Sequence, residues 1–127
     1  MPAHLRPRRR LVLKTLDLAR SLVDALEDKK AEDIVLLDLH GLCSFTDYFI
    51  ICTGTSERQL EALAEAVEQT ARKKFRLKAP RVQGQAAGGW LLIDFTDVIV
   101  HAFSTDQRRR YQLEELWHEG KIMLRIQ

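Results

Sequence analysis

The segment from Phe45 to Thr53, F-T-D-Y-F-I-I-C-T, constrains the fold more than any other, because β-branched and aromatic residues fall on both of its alternating faces. A strand with one wet face alternates apolar with polar residues, whereas a strand buried on both sides reads as a nearly unbroken apolar run. This segment is therefore expected inside a sheet, covered on each side, with Gly54 ending it. Ile34 to Leu39 is a second run of strand length, stopped by His40-Gly41. Trp90–Phe95 and Val98–Phe103 are joined so tightly at Thr96-Asp97 that they predict an antiparallel hairpin. Arg81-Val82 reads as the start of a short strand, and Gly84 to Gly89 as a loop.

Helical periodicity fills the gaps. Thr15 is placed to cap a first helix in which Leu16, Ala19, Leu22, Val23 and Leu26 return at three- and four-residue steps. Ser56-Glu57-Arg58-Gln59 has the capping-box form ahead of Leu60, Leu63, Ala64, Val67, Ala71 and Phe75, with Pro80 closing that helix. Ser104, Thr105 or Asp106 caps a last helix ended by Gly120, after which Ile122, Leu124 and Ile126 alternate as a terminal strand or an arm lying on the core. The fold class expected is α/β (α+β): one domain over residues 1–127, with a mixed β-sheet of about five strands flanked by helices. Residues 1–13 read as a disordered basic start, 15–117 as the core, and 118–127 as a terminal arm or strand.

Composition narrows the function. The chain has 127 residues, 46% hydrophobic and 30% charged, which suits a single core. Its net charge of +2 hides an asymmetry: four arginines and no acid lie in the first ten residues, leaving 16 Lys and Arg against 18 Asp and Glu elsewhere. A mildly acidic body with a basic tail argues against general nucleic-acid binding. No segment approaches the roughly 20 apolar residues of a membrane span, and Leu11-Val12-Leu13 is too short for a secretory signal. A cytoplasmic protein is favoured over an organellar one, because the Arg-rich start lacks serine and soon meets Asp17. Cys43 and Cys52 have no partner at metal-site spacing and read as free thiols of a reducing compartment.

An enzyme reading starts from Asp38, Asp94 and Asp97 with magnesium, beside a phosphate held by Thr53-Gly54-Thr55-Ser56 at a helix start. Phosphoryl transfer wants closely set acids near such a loop, and no Asp-x-Asp pair stands in the chain. Asp94 and Asp97 also suit the hairpin turn they straddle, and the Gly54 segment a strand exit with a helix cap. The run Arg72, Lys73, Lys74, Arg76, Lys78, Arg81 reads either as an RNA-binding strip or as cations complementing a helix C-terminus. Arg108, Arg109 and Arg110 stand in a first helical turn, where the dipole disfavours them, so either an internal acid (Asp94, Asp97 or Asp106) or a partner's anion must reward them. Trp90 at the mouth of a Gly-Ala loop is either core or, with Tyr and Arg, a binding anchor. His101 reads as a half-buried structural histidine or a protein contact.

T-D-Y-F-I-I-C-T-G-T-S (46–56), W-L-L-I-D-F-T-D-V-I-V-H-A-F (90–103) and R-R-R-Y-Q-L-E-E-L-W (108–117) resemble the ribosomal silencing factor family, also called Iojap-like, in order and spacing. The likeness runs from about Thr15 to Trp117. It departs at the hairpin turn, where the family usually has Gly and this chain has Thr96; a turn needing positive φ would strain Thr. The resemblance implies a nucleotidyltransferase-like mixed sheet without catalytic acids, no cofactor and no small-molecule substrate. It further implies a non-enzymatic factor that binds protein number fourteen of the large ribosomal subunit and stops the small subunit from joining, repressing translation when nutrients are short. By position, Trp90, His101, Tyr111, Leu113 and Glu114 would form the contact patch, with Asp94, Asp97 and Glu115 meeting cations of the partner. The same apolar patch would allow a homodimer when the target is absent. A magnesium-dependent nucleotidyltransferase-like enzyme and a direct rRNA-binding assembly factor remain as alternatives.

Overall fold

The computed structural model describes residues 7–116 and 120–127, and the side chains of these except residues 7–13, Glu114 and Leu116. Its order is α1 (Pro7–Asp28), β1 (Glu32–Asp38), β2 (Tyr48–Gly54), α2 (Glu57–Phe75), β3 (Arg81–Gln85), a short 3-10 turn (Ala86–Gly88), β4 (Trp90–Asp94), β5 (Val98–Ser104), α3 (Thr105–Tyr111), α4 (Leu113–Leu116) and β6 (Lys121–Ile126). The six strands form one mixed sheet in the order β3-β4-β5-β2-β1-β6. The β2–β5 pair is parallel and every other pair is antiparallel, the expected β4–β5 hairpin among them.

As its apolar run requires, β2 is interior and buried along its whole length. Tyr48, Ile50 and Cys52 face the helices, packed with Ala19, Leu22, Val23 and Leu26 of α1 and Leu60, Leu63, Val67 and Ala71 of α2. Phe49 and Ile51 face the other way, into a second apolar cluster with Val35, Leu37, Ile99, Phe103 and Leu113. Among the described residues, that second face is covered by α3, α4 and the 39–46 loop, less fully than the first face is by α1 and α2.

Several local expectations are corrected. The first helix starts at Pro7, so Thr15 lies within it and residues 7–13 of the supposed disordered start are helical; residues 1–6 lie outside the described part. Proline 80 does not close α2: Arg76 does, in the left-handed conformation at φ 54°, with its N–H turned back to the last carbonyls. The last helix is broken at Gln112, also left-handed at φ 43°, and Trp117 lies outside the described residues. The stretch read as a loop from Gly84 begins inside β3, and the tail is a strand, the sixth, paired with β1. In β6, Met123 and Ile126 pack on the core while Ile122 and Leu124 are exposed.

The hairpin turn has the geometry its sequence should avoid. Thr96 sits at φ 78°, with its amide bonded to Asp94 Oδ1 at 2.7 Å. A β-branched residue there costs roughly 1–3 kcal/mol. Part of the relief from glycine is offset by the freedom it adds to the unfolded chain. Thr96→Gly is therefore expected to stabilise the protein by about 1 kcal/mol, read as a higher urea midpoint at unchanged slope. A lower midpoint would show that the Thr side chain contributes more than its backbone strain costs.

Candidate functional site

Trp90 heads β4 directly opposite Phe103 of β5, on the sheet face away from α1 and α2. Its indole is half-buried, with ring centroids 4.9 Å from Phe103 and 4.6 Å from Tyr111. Tyr111 arrives from α3, whose start is capped by Ser104 accepting from the Gln107 amide at 3.3 Å. Because the chain turns sharply at Gln112, Leu113 is sent into the core while Tyr111 stays 41% exposed. The two aromatic residues thus make a step at the sheet surface, resting on Phe103, which has no exposure at all.

His101 lies beneath this step. It is 4% exposed, so in the free protein it lies behind the aromatic step and not on its surface. Trp90 Nε1 can only donate, and it reaches His101 Nδ1 at 3.3 Å, so Nδ1 is the bare acceptor and the proton belongs on Nε2. Burial pushes the imidazole down to about 4, which keeps that neutral tautomer at physiological pH. His101 Nε2 is itself buried with no hydrogen-bond partner among the described residues, and the Phe49 ring stands edge-on to the imidazole at 4.6 Å.

The sign of the pH effect follows. The unfolded chain takes up a proton at His101 below its ordinary 6.5, whereas the folded protein does so only near 4. Stability from this group is present above about pH 6.5, falls as pH drops, and stops falling below about pH 4. His101→Gln keeps an acceptor for Trp90 and cannot titrate, so the difference in melting temperature between wild type and variant should shift across that window. A difference independent of pH from 7.5 to 4 would refute the buried neutral imidazole.

The remaining expected residues fare unevenly. Leu113 is buried at 8% and belongs to the second core cluster, so it too acts from behind. Arg108, Arg109 and Arg110 fill the last turn of the short α3, where the dipole favours cations, and not the first turn as expected; Arg108 is turned inward, its Nη1 donating to Thr53 Oγ1 at 3.0 Å. Asp94 shares the face with Trp90 and Leu92 but stands at the far end of β4, one carboxylate oxygen bonded in the turn. Asp97 is exposed but leaves the patch; it lines a cleft with Lys14, Lys74 and Phe75 at the ends of α1 and α2. Its carboxyl is raised, first by desolvation and then by Asp47. Glu114's side chain lies outside the described part, and Glu115 is exposed.

The structure adds residues that sequence reading passed over. Leu92 alternates with Trp90 on β4, Phe45 is 59% exposed and touches Phe49, and Ile122 is 48% exposed opposite Leu37. The period-two pattern of β4 already placed Leu92 beside Trp90; Phe45 was counted into the interior strand, which starts three residues later. Beside Trp90, a groove of about 360 Å³ runs along the exposed edge strand, lined by Gln83, Gly84, Gln85, Gly88, Trp90 and Leu92.

The pieces of the enzyme reading are spent locally. Thr55 N and Oγ1 donate to Gln59 Oε1 at 2.7 and 3.0 Å, and Ser56 Oγ accepts from Gln59 N at 3.0 Å, so the Gly54 segment is a helix cap. Among the described residues no three His, Cys, Asp or Glu side chains are placed to share a metal ion. His40 is held between Asp38 at 2.5 Å and Asp47 at 3.5 Å. Burial lifts the Cys52 thiol to about 12, offset only in part by Arg108, so it is inert as a nucleophile.

Residues 12–126 match the family model described as "Ribosomal silencing factor during starvation". The "Ribosomal silencing factor RsfS" of Halalkalibacterium halodurans is 40% identical over 104 residues, covering 82% of this chain and 88% of that protein. The mouse "Mitochondrial assembly of ribosomal large subunit protein 1" is 32% identical over 98 residues, 76% of this chain and 43% of that longer protein. A crystal structure of a protein from Chromobacterium violaceum is similar with a TM-score of 0.76 at 35% identity, covering 81% of this chain and 85% of that one.

Proposed function

This chain belongs to the ribosomal silencing factor family, and from that premise we propose that it binds the large ribosomal subunit and represses translation without catalysing a reaction. The contact is made by the Trp90–Tyr111 step to protein number fourteen of that subunit, and the docked body keeps the small subunit from joining by its bulk. One observation carries the reading: an aromatic pair rests on a rigid buried platform at the sheet face that the two long helices leave uncovered. Half-exposed Trp and Tyr over a packed base are what binding hot spots favour, since a pre-set ring loses little freedom on docking. The mouse relative's name places that protein in large-subunit assembly, which supports the choice of subunit.

Occlusion demands no cofactor, only a tight grip in the right place. Leu92, Phe45 and Ile122 extend the apolar area, and the same area would serve a homodimer when no subunit is available. The test is sedimentation with purified large and small subunits kept apart by low magnesium. The protein is expected to pellet with large subunits alone and to lower the yield of joined ribosomes when magnesium is restored. Equal pelleting with both subunits, or normal joining with the protein bound, would overturn the reading.

A further inference from the structure

The fold joins two basic stretches that are far apart in sequence. Lys14 and Thr15 of α1 line one cleft with Lys74, Phe75, Arg76 and Leu77, so the start of α1 lies at the end of α2. Arg8, Arg9 and Arg10 stand in the first turns of α1, which has no acid to meet the positive end of its dipole. Residues 7–15 and 71–82 together hold ten of the 20 Lys and Arg and none of the 18 Asp and Glu. The protein is strongly polarised by charge, although its net charge is only +2.

A helix C-terminus rewards two or three cations, and Arg72, Lys73 and Lys74 fill that role. It does not account for Arg76, Lys78 and Arg81, which follow in the non-helical chain, or for Lys14 on another helix. All seven are exposed, and none forms an ion pair with a described acid. Asp97 at the rim of the cleft is the one carboxylate among its lining residues.

We propose that this end of the molecule, Lys14 with the six cations of residues 72–81, is a second interaction surface that takes the phosphate backbone of RNA. The six follow roughly 20 Å of chain, a few helical residues and then extended ones, which suits a repeating polyanion better than one acidic side chain. Phe75 and Leu77 are partly buried against the core, leaving no aromatic platform for bases; the surface positions and does not read sequence. The choice of RNA among polyanions rests on the ribosomal reading above. Apart from Arg81, which stands opposite Asp94 on the face of Leu92 and Trp90, the surface lies at the ends of α1 and α2, on the helical side of the sheet.

The probe is a dye-labelled RNA duplex of about 20 base pairs and arbitrary sequence, followed by fluorescence anisotropy. With about four phosphates engaged, affinity should fall about a hundredfold between 50 and 200 mM salt. Lys73→Glu/Lys74→Glu/Arg76→Glu should abolish binding, while Arg109→Glu/Arg110→Glu, reversing two exposed charges on α3, should change it less than threefold. Trp90→Ala should bind the duplex as wild type does, so failure of the protein contact and failure of this surface are separately visible. Equal loss from both charge-reversal sets, or binding insensitive to salt, would overturn the proposal. So would loss of large-subunit pelleting in the triple variant with no duplex binding by wild type, which would assign the surface to an acidic protein.

Discussion

Trp90→Ala is expected to weaken binding to large subunits by about 30- to 1,000-fold, roughly 2–4 kcal/mol, while leaving a folded protein. The loss has two physical sources. One is the apolar and aromatic contact of the outward ring. The other is internal: without the indole N–H, His101 Nδ1 is left an unsatisfied acceptor and Tyr111 loses the ring 4.6 Å away that holds it in place. Trp90→Phe separates the two, since it keeps a ring on Phe103 and Tyr111 but deletes the donor. An intermediate affinity is expected for it. Dissociation constants from sedimentation at several subunit concentrations decide the matter, with circular dichroism as the check on folding. Wild-type affinity in Trp90→Ala would remove the site altogether.

The largest stability effect is expected at Phe103. It is wholly buried, it touches Trp90, and its ring stacks within 6.1 Å of His101 and 6.0 Å of Tyr111. Phe103→Ala should cost about 3–5 kcal/mol, a large part of the roughly 5–15 kcal/mol that holds a domain of this kind together. The second apolar cluster is small, so few neighbours can move in to fill the space. Urea unfolding measures the cost directly. A loss below about 1 kcal/mol would mean that this cluster does not anchor the hairpin, and the rigid-platform argument for Trp90 would fall with it.

The expectations that succeeded and failed differ in physical kind. The interior strand, the two amphipathic helices and the β4–β5 hairpin were legible because each rests on a short-range period that burial enforces. The ends of helices were not: Arg76 and Gln112 turn left-handed without glycine, so no local signal marks them. At the candidate site, the sequence left Trp90 open between core and anchor and placed Tyr111 only by the family resemblance; the packing sets both rings partly exposed on one face. The roles of His101 and Leu113 were not legible, because strand alternation gives a residue's face but not whether a neighbouring helix covers it. Asp97 and Asp94, three residues apart, were grouped by sequence and separated by the turn, since one faces the open side and the other the helical side. The six-cation run was visible from the start, but its junction with α1 depended on tertiary packing.

The parallel pairing of β2 with β5 joins Tyr48 to Val98 and Thr53 to Phe103 across the middle of the chain. The loop between them must be ordered before they repay its entropy, so they cost more to close than the β4–β5 hairpin does. The Trp90–Tyr111 step is made within residues 90–111, but its base includes Phe49 and Ile51 of β2, so it depends on that closure and not on the start of α1 or on β6 at the sheet edge. Binding through the step is therefore expected only of the folded domain, in which β2 has reached β5 and the two rings have a packed base.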